Sequence, residues 1–258
     1  MSAGNRIAQL IIGLFGLCAI NASAESLLVA VASNFTATAQ EVAAEFHIGS
    51  GHDIRISGAS TGKLFVQIQN GAPFDVLLAA DAERPERLES SGFGVRNSRF
   101  TYAIGQLVLW SRNPAIDKSA CREHLRQLGS ARLAIANPDT APYGAAARQT
   151  LIQLGLWDRV QPRLVIGENI AQSLQFVASG NASLGFIAKS QIGNKRLPPA
   201  SCSWEVTPDL HDPIEQQAIL LERAANNPIA HEFLEFLRSE SGRAIIARNG
   251  YLLTARDH

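Results

Sequence analysis

In this chain a strand-like run repeatedly ends in small polar residues and passes at once into a helix-like one, and nothing else in the sequence constrains the fold so strongly. The plainest case lies in residues 56–81, ISGASTGKLFVQIQNGAPFDVLLAAD. Ile54 and Ile56 close a β-branched run, residues 57–62 are small and mostly polar, and Leu64, Phe65 and Ile68 then recur at helical spacing. Residues 27–32, LLVAVA, have the unbroken apolar character of a buried parallel strand. Ser33 and Asn34 follow, and Phe35, Ala39, Val42, Ala43 and Phe46 share one helical face. Residues 74–80 give a third strand, and residues 82–91 a third helix with Pro85 in its first turn. This alternation predicts a parallel α/β sheet. Ligands of such sheets gather at the carboxyl ends of the strands, where Ser33, Asn34, Ser60 and Thr61 would meet.

The pattern breaks at residues 100–110, FTYAIGQLVLW, an extended run longer than one strand of a small sheet needs, with Gly105 in its middle. Such a run suits a crossing between two bodies. Beyond it the alternation restarts: helix 119–128, strand 132–136, polar loop 137–144, helix 145–155, strand 164–166, helix 170–179 and strand 184–187. Residues 204–207 and 214–221 are extended again, and two helices begin near Pro228 and Ser241. Two α/β lobes joined by two crossover strands account for this order, residues 25–106 and 216–258 forming lobe I and residues 107–215 lobe II. The second lobe has its own polar turns, at Pro142-Tyr143-Gly144 and just before Ile170. Each turn can be explained as a cap. Together they would aim four helix N-termini, with unpartnered N–H groups, at one cleft, an arrangement that suits an anion. Lys63, nearby, is expected to be solvated.

Residues 1–24 stand apart. Arg6 precedes an apolar run over residues 7–20, and Ala22-Ser23-Ala24 offers a cleavage site, the order of a secretory signal peptide cut after Ala24. The run is shorter than the roughly 20 residues a membrane span needs, and Leu17 before Cys18 is not the small residue that lipoprotein processing uses. The chain has 23 basic and 23 acidic residues, and residues 1–24 hold one arginine and no acid, so the remainder carries a net charge of −1. No basic field attracts nucleic acid or a membrane surface, and an anion would have to be held by local dipoles. Cys121 and Cys202 remain after cleavage. An oxidising compartment would let them pair, with two free buried thiols as the alternative.

Catalytic signatures fail when tested. Gly58 to Lys63 lacks the spacing of a phosphate-cradling P-loop, and Leu64 stands where Ser or Thr would bind magnesium. Ser60-Thr61-Gly62-Lys63 matches the S-x-x-K of penicillin-interactive serine hydrolases, and Ser179-Gly180-Asn181 could serve as the second element. No K-T-G follows, and Ser179 and Gly180 also fit a helix end. The histidines, at 47, 52, 124, 211, 231 and 258, show no metal spacing, and no G-x-S-x-G occurs.

AVASNFTATAQEVAAEF, GASTGKLFVQIQNGAPFDVLLAAD, LAIANPDTAPYGAAARQTL, LGLWD, GENIAQSLQFVASGNASLGFIAKSQ and the closing GRAIIARNGYLL occur in this order. Together they resemble the periplasmic molybdate-binding proteins, the ModA family of ABC-transporter substrate receptors, over essentially the whole chain after residue 24. The Q-I-x-x-G-A-P-F-D-V stretch is the most specific. The resemblance implies a two-lobed periplasmic-binding-protein fold of type II, each lobe a mainly parallel sheet flanked by helices. It also implies a non-enzymatic, monomeric periplasmic receptor without a cofactor, which closes on molybdate or tungstate and delivers it to a membrane permease. Carried over residue by residue, Ser33 and Asn34 supply hydroxyl and amide donors, Ser60 and Thr61 supply donors from the second turn, Tyr143 donates from the third, and Ile170 gives its backbone N–H. The metal is reached only through the oxyanion, with no direct coordination. Ala188 stands where many members have a tyrosine donor, and Tyr143 is the implied substitute. A receptor for sulfate or another tetrahedral oxyanion is the alternative.

Overall fold

The computed structural model describes residues 26–192 and 199–254. The expected signal peptide and its cleavage site lie outside these residues. In chain order the first elements are β1 (Leu27–Ala32), α1 (Thr36–Ser50), β2 (Ile54–Ala59), α2 (Thr61–Gln69), β3 (Val76–Leu78), α3 (Glu83–Ser90) and β4 (Phe100–Gly105). A second group follows: β5 (Leu107–Ser111), α4 (Cys121–Arg126), β6 (Leu133–Ala136), α5 (Pro142–Gln153), α6 (Trp157–Val160), β7 (Leu164–Gly167), α7 (Ile170–Ala178), β8 (Leu184–Ala188) and β9 (Cys202–Glu205). The chain then returns through β10 (Ile214–Leu220) and ends in α8 (Pro228–Arg238) and α9 (Glu240–Arg248).

Two five-stranded sheets result, ordered β2-β1-β3-β10-β4 and β7-β6-β8-β5-β9. They share one plan. Three parallel strands (β2, β1 and β3; β7, β6 and β8) are followed by two antiparallel pairings (β10 on β3 and β4; β5 on β8 and β9). The extended run at residues 100–110 is two strands, one in each sheet, with Gln106 alone between them. The second passage between sheets occupies residues 206–213.

Successive strand residues face opposite sides of the first sheet. Val29 and Val31 pack under α1, α8 and α9 with Phe35, Val42, Phe46, Phe233 and Ile246, while Ala30 and Leu77 pack under α2 and α3 with Leu64, Phe65, Ile68 and Leu88. In the second sheet Leu133 and Ile135 meet Leu125, Ala147, Leu151 and Val160, and Ala134 meets Val177 of α7 on the other face. Cys121 and Cys202 are bonded, their Cα atoms 5.5 Å apart, and tie α4 to the edge strand β9. The apolar burial in the two bodies, at about 25 cal/mol per Å², is the main term opposing chain entropy.

Register puts the turns level with one another. Ala32 of β1 lies opposite Ala59 of β2, and the Ser33 N–H donates to the Ala59 carbonyl at 2.9 Å. Ala136 of β6 lies opposite Gly167 of β7, and the Asn137 N–H donates to the Gly167 carbonyl at 2.7 Å. Each sheet therefore delivers two strand ends, and the helices that follow them, to one level.

Candidate functional site

The four strand ends meet in a small cavity between the two sheets. Ser33, Asn34, Ser60, Thr61, Tyr143 and Ile170, the six residues singled out from the sequence, all line it, together with Ala32, Ala80, Ala141 and Pro142. The cavity is small, and its walls lie close together. None of the lining residues is charged.

The donors come from the starts of α1, α2, α5 and α7. Among the described residues, the N–H groups of Asn34, Thr61, Tyr143 and Ile170 have no protein acceptor, and the hydroxyls of Ser33 and Ser60 have no protein partner. Ser60 is the N-cap of α2, yet its side chain makes no capping bond, so its hydroxyl is not spent on the helix. Asn169 differs: its side chain caps α7 by accepting from Ala171 and Gln172, and the N–H of Ile170 between them stays unpaired. Dipoles and unpaired N–H groups together favour negative charge at this point.

Other members of the set act as braces. The Thr61 hydroxyl oxygen accepts from the Ala80 N–H at 3.0 Å, fixing the start of α2 to the second residue beyond β3. The side-chain amide of Asn34 donates to Gln216 Oε1 at 2.9 Å and to the Tyr251 hydroxyl at 3.1 Å, so its backbone N–H is the group left over. Phe35, fully buried, packs between the rings of Tyr102 and Tyr251, at centroid distances of 4.8 and 5.3 Å, and holds the first turn in place.

Pro142 and Tyr143 are not in a turn ahead of a helix at residue 145, as the sequence suggests. They are the first two residues of α5, where a proline loses no hydrogen bond. Ala188 ends β8, fully buried, and is not in the cavity wall. Lys63 is exposed, as expected of a solvated lysine, but its ammonium sits 3.7 Å from Glu168 across the cleft. Burial raises the phenol pKa of Tyr102 and Tyr143 well above the usual value, and that of Tyr251 to about 12, so all three keep their hydrogens at neutral pH.

Several contacts bridge the two bodies around the cavity. The Gly62 N–H donates to the Thr140 carbonyl at 2.9 Å, Arg84 to the Asp139 carbonyl at 3.1 Å, and the Ser190 hydroxyl to the Asn34 carbonyl at 3.1 Å. Gly62 has to be bare: a Cβ there would stand 2.9 Å from the Thr140 carbonyl oxygen. Sequence reasoning missed Gln216, Tyr102, Tyr251 and Ser190, which brace the wall from behind. A polar residue buried in an extended run, as Gln216 is, was the one available signal.

The family model of bacterial extracellular solute-binding proteins matches residues 27–252. A molybdate-binding protein ModA from Azotobacter vinelandii is 44% identical over 95% of this chain and 97% of its own length. One from Rhodobacter capsulatus is 40% identical over 98% and 96%. The chain belongs to the ModA family of bacterial extracellular solute-binding proteins. The solved periplasmic molybdate-binding protein of A. vinelandii superposes with a TM-score of 0.83 at 38% identity, covering 89% of this chain and all of that one. The sulfate-binding protein SubI of Mycobacterium tuberculosis shares the fold, with a TM-score of 0.69 at 12% identity over 88% of this chain and 86% of that one. As a ModA-family member the chain is a two-lobed binding protein and not an enzyme, and it holds a ligand rather than a cofactor.

Proposed function

We propose that the protein captures molybdate, and tungstate with it, in the cavity between its lobes and hands the anion to the membrane permease of an ABC importer. In this reading residues 1–24 are removed after Ala24 and the rest works as a periplasmic monomer, with residues 25–106 and 216–258 as lobe I and 107–215 as lobe II. Ser33, Ser60 and Tyr143 donate from hydroxyls, and Asn34, Thr61 and Ile170 from backbone N–H groups.

The observation that supports this most is an uncharged cavity rich in unspent donors at four helix N-termini. A fully ionised tetrahedral oxyanion offers only acceptors, so such a wall suits it, whereas a protonated phosphate needs an acceptor in return. Charge-assisted bonds contribute about 1.5–3 kcal/mol each, and a handful can offset dehydration. Sulfate has the same charge and shape, so its rejection rests on size: donors on rigid helix starts would not close on a smaller ion. The bridges between the bodies then give the permease its signal, a closed receptor.

Calorimetric titration of residues 25–258 with molybdate in excess sulfate tests this, with a one-to-one endpoint expected. Equal affinity for sulfate would leave an oxyanion receptor and overturn molybdate selection. Absence of heat with any tetrahedral dianion would overturn the reading itself.

A further inference from the structure

A phenol beside an anion helps only when its hydrogen points at the anion; one that spends its hydrogen elsewhere presents lone pairs. For Tyr143 this direction is settled by a chain of hydrogen bonds that begins at a group of fixed polarity, the Asn34 carbonyl, which can only accept. It faces the Tyr251 hydroxyl at 2.9 Å and the Ser190 hydroxyl at 3.1 Å. Tyr251 gives its one hydrogen to that carbonyl or to the Ser190 hydroxyl, 3.0 Å away, which itself reaches the carbonyl; either way it accepts from the remaining group facing it, so the Asn34 side chain turns its NH₂ that way. The same NH₂ faces Gln216 at 2.9 Å, which requires the oxygen end of Gln216 there; the Tyr102 hydroxyl lies 3.1 Å from both that oxygen and the Ala79 carbonyl and has one hydrogen to give between them. The other end of Gln216 is then its NH₂, 3.3 Å from the Tyr143 hydroxyl oxygen. Tyr143 accepts at that point, and its own hydrogen, with no protein acceptor among the described residues, is free for a guest of the cavity that Tyr143 lines.

We propose that Gln216 is a positioning residue that fixes Tyr143 as a hydrogen donor toward the bound oxyanion, and so selects anions that carry no proton. This rests on the oxyanion reading of the site. Gln216 is wholly buried on β10, while Tyr143 belongs to α5 beside the second sheet. Ser190 also reaches Asn34 from the second body. The polarity chain thus starts in lobe I and ends in lobe II, and it is complete only when the lobes are together. Gly105, at the crossing, supports the same contact independently: a Cβ there would lie 2.2 Å from the Tyr143 hydroxyl and 2.8 Å from Gln216 Nε2. The bare backbone leaves room for the two groups to meet.

A double-mutant cycle on residues 25–258 tests the proposal, with molybdate as titrant and ligand-free melting as the control for folding. Gln216→Met keeps the volume and removes the amide; Gln216→Leu is the second choice should Met perturb the melt. The expected loss for Gln216→Met is about tenfold in affinity, with a larger loss for Tyr143→Phe. The double variant should be no more than twofold weaker than Tyr143→Phe alone, because Gln216 acts through the phenol. A merely structural role would make the two losses multiply, and that result, or wild-type affinity in Gln216→Met, overturns the proposal. Wild-type affinity in Tyr143→Phe overturns it too while leaving the molybdate reading standing. A wild-type protein silent to molybdate takes both down.

Discussion

Substituting Gly62 by alanine should separate ligand capture from folding, and the structure sets its size. Gly62 lies in the first turn of α2, and its missing Cβ would stand 2.9 Å from the Thr140 carbonyl oxygen, 3.0 Å from its Cα and 3.2 Å from its Cβ. Ordinary contact begins near 3.4 Å, so the two backbones must part by about half an ångström. Neither can yield as the tip of a flexible side chain would. Parting them stretches the Gly62 N–H bond to Thr140 from 2.9 Å to about 3.4 Å, at the edge of bonding distance, forfeiting up to about 0.5–1.5 kcal/mol, and residual overpacking adds about 1–3 kcal/mol. The closed form should therefore lose about 1.5–4.5 kcal/mol, or about 10- to 2,000-fold in molybdate affinity. The open form has no such clash, and alanine suits a helix better than glycine by up to about 1 kcal/mol. Calorimetry should show the weakened binding, while the ligand-free melting temperature stays level or rises. Wild-type affinity in Gly62→Ala would refute the view that the lobes close through this contact.

Ser60→Ala combined with Tyr143→Phe removes two proposed donors and should weaken molybdate by more than about a hundredfold without unfolding the protein; retained affinity in calorimetry would place the pocket elsewhere. Replacing Cys121 and Cys202 by alanine opens a loop with a sequence separation of 81 residues. Denaturant titration should show a loss of about 2–4 kcal/mol, with molybdate affinity kept because the bridge ties α4 to β9 rather than to the cavity wall. Tyr251 is raised by burial to about 12, and Tyr102 and Tyr143 are raised well above the ordinary value of 10.0. A raised pKa means stability fully present below the unfolded value and lost as pH climbs toward the folded one. Unfolding free energy should fall from about pH 10 upward, and denaturant midpoints measured from about pH 9 to about pH 11 would check this.

Half of the candidate site was legible because half of it is local. Ser33, Asn34, Ser60 and Thr61 each follow a strand directly, and parallel neighbours in register must bring such residues to one level. The same holds beyond β6 and β7, where Tyr143 and Ile170 begin the next helices. Errors fell where local signals compete. Pro142 reads from sequence as a turn ahead of the helix that it starts, since proline serves as well in a turn as at the first helical position. The four residues of α6 are too few to show a period. The strand expected over residues 74–80 is regular only over Val76–Leu78, although Asp75 and Ala79 on either side still bond to the backbones of Leu28 and Gln217.

The bracing half of the site has no local signature, and the reason is distance along the chain. Asn34 meets Gln216 across 182 residues and Tyr251 across 217, so no window of sequence contains both partners. What β10 does show is Gln216 and Gln217 adjacent in an extended run, an odd pair for a strand that alternates inside and outside. The register of β10 against β4 shifts between these two residues, and the irregularity turns both inward, Gln216 to the tyrosines and Gln217 toward Thr101 and Arg99. A buried amide must find partners, and the crossing between lobes is where Gln216 finds them in both bodies at once. The proposed donors can thus be read from strand ends, but the proposed polarity of Tyr143 depends on β10 meeting α5, and only the folded chain brings them together.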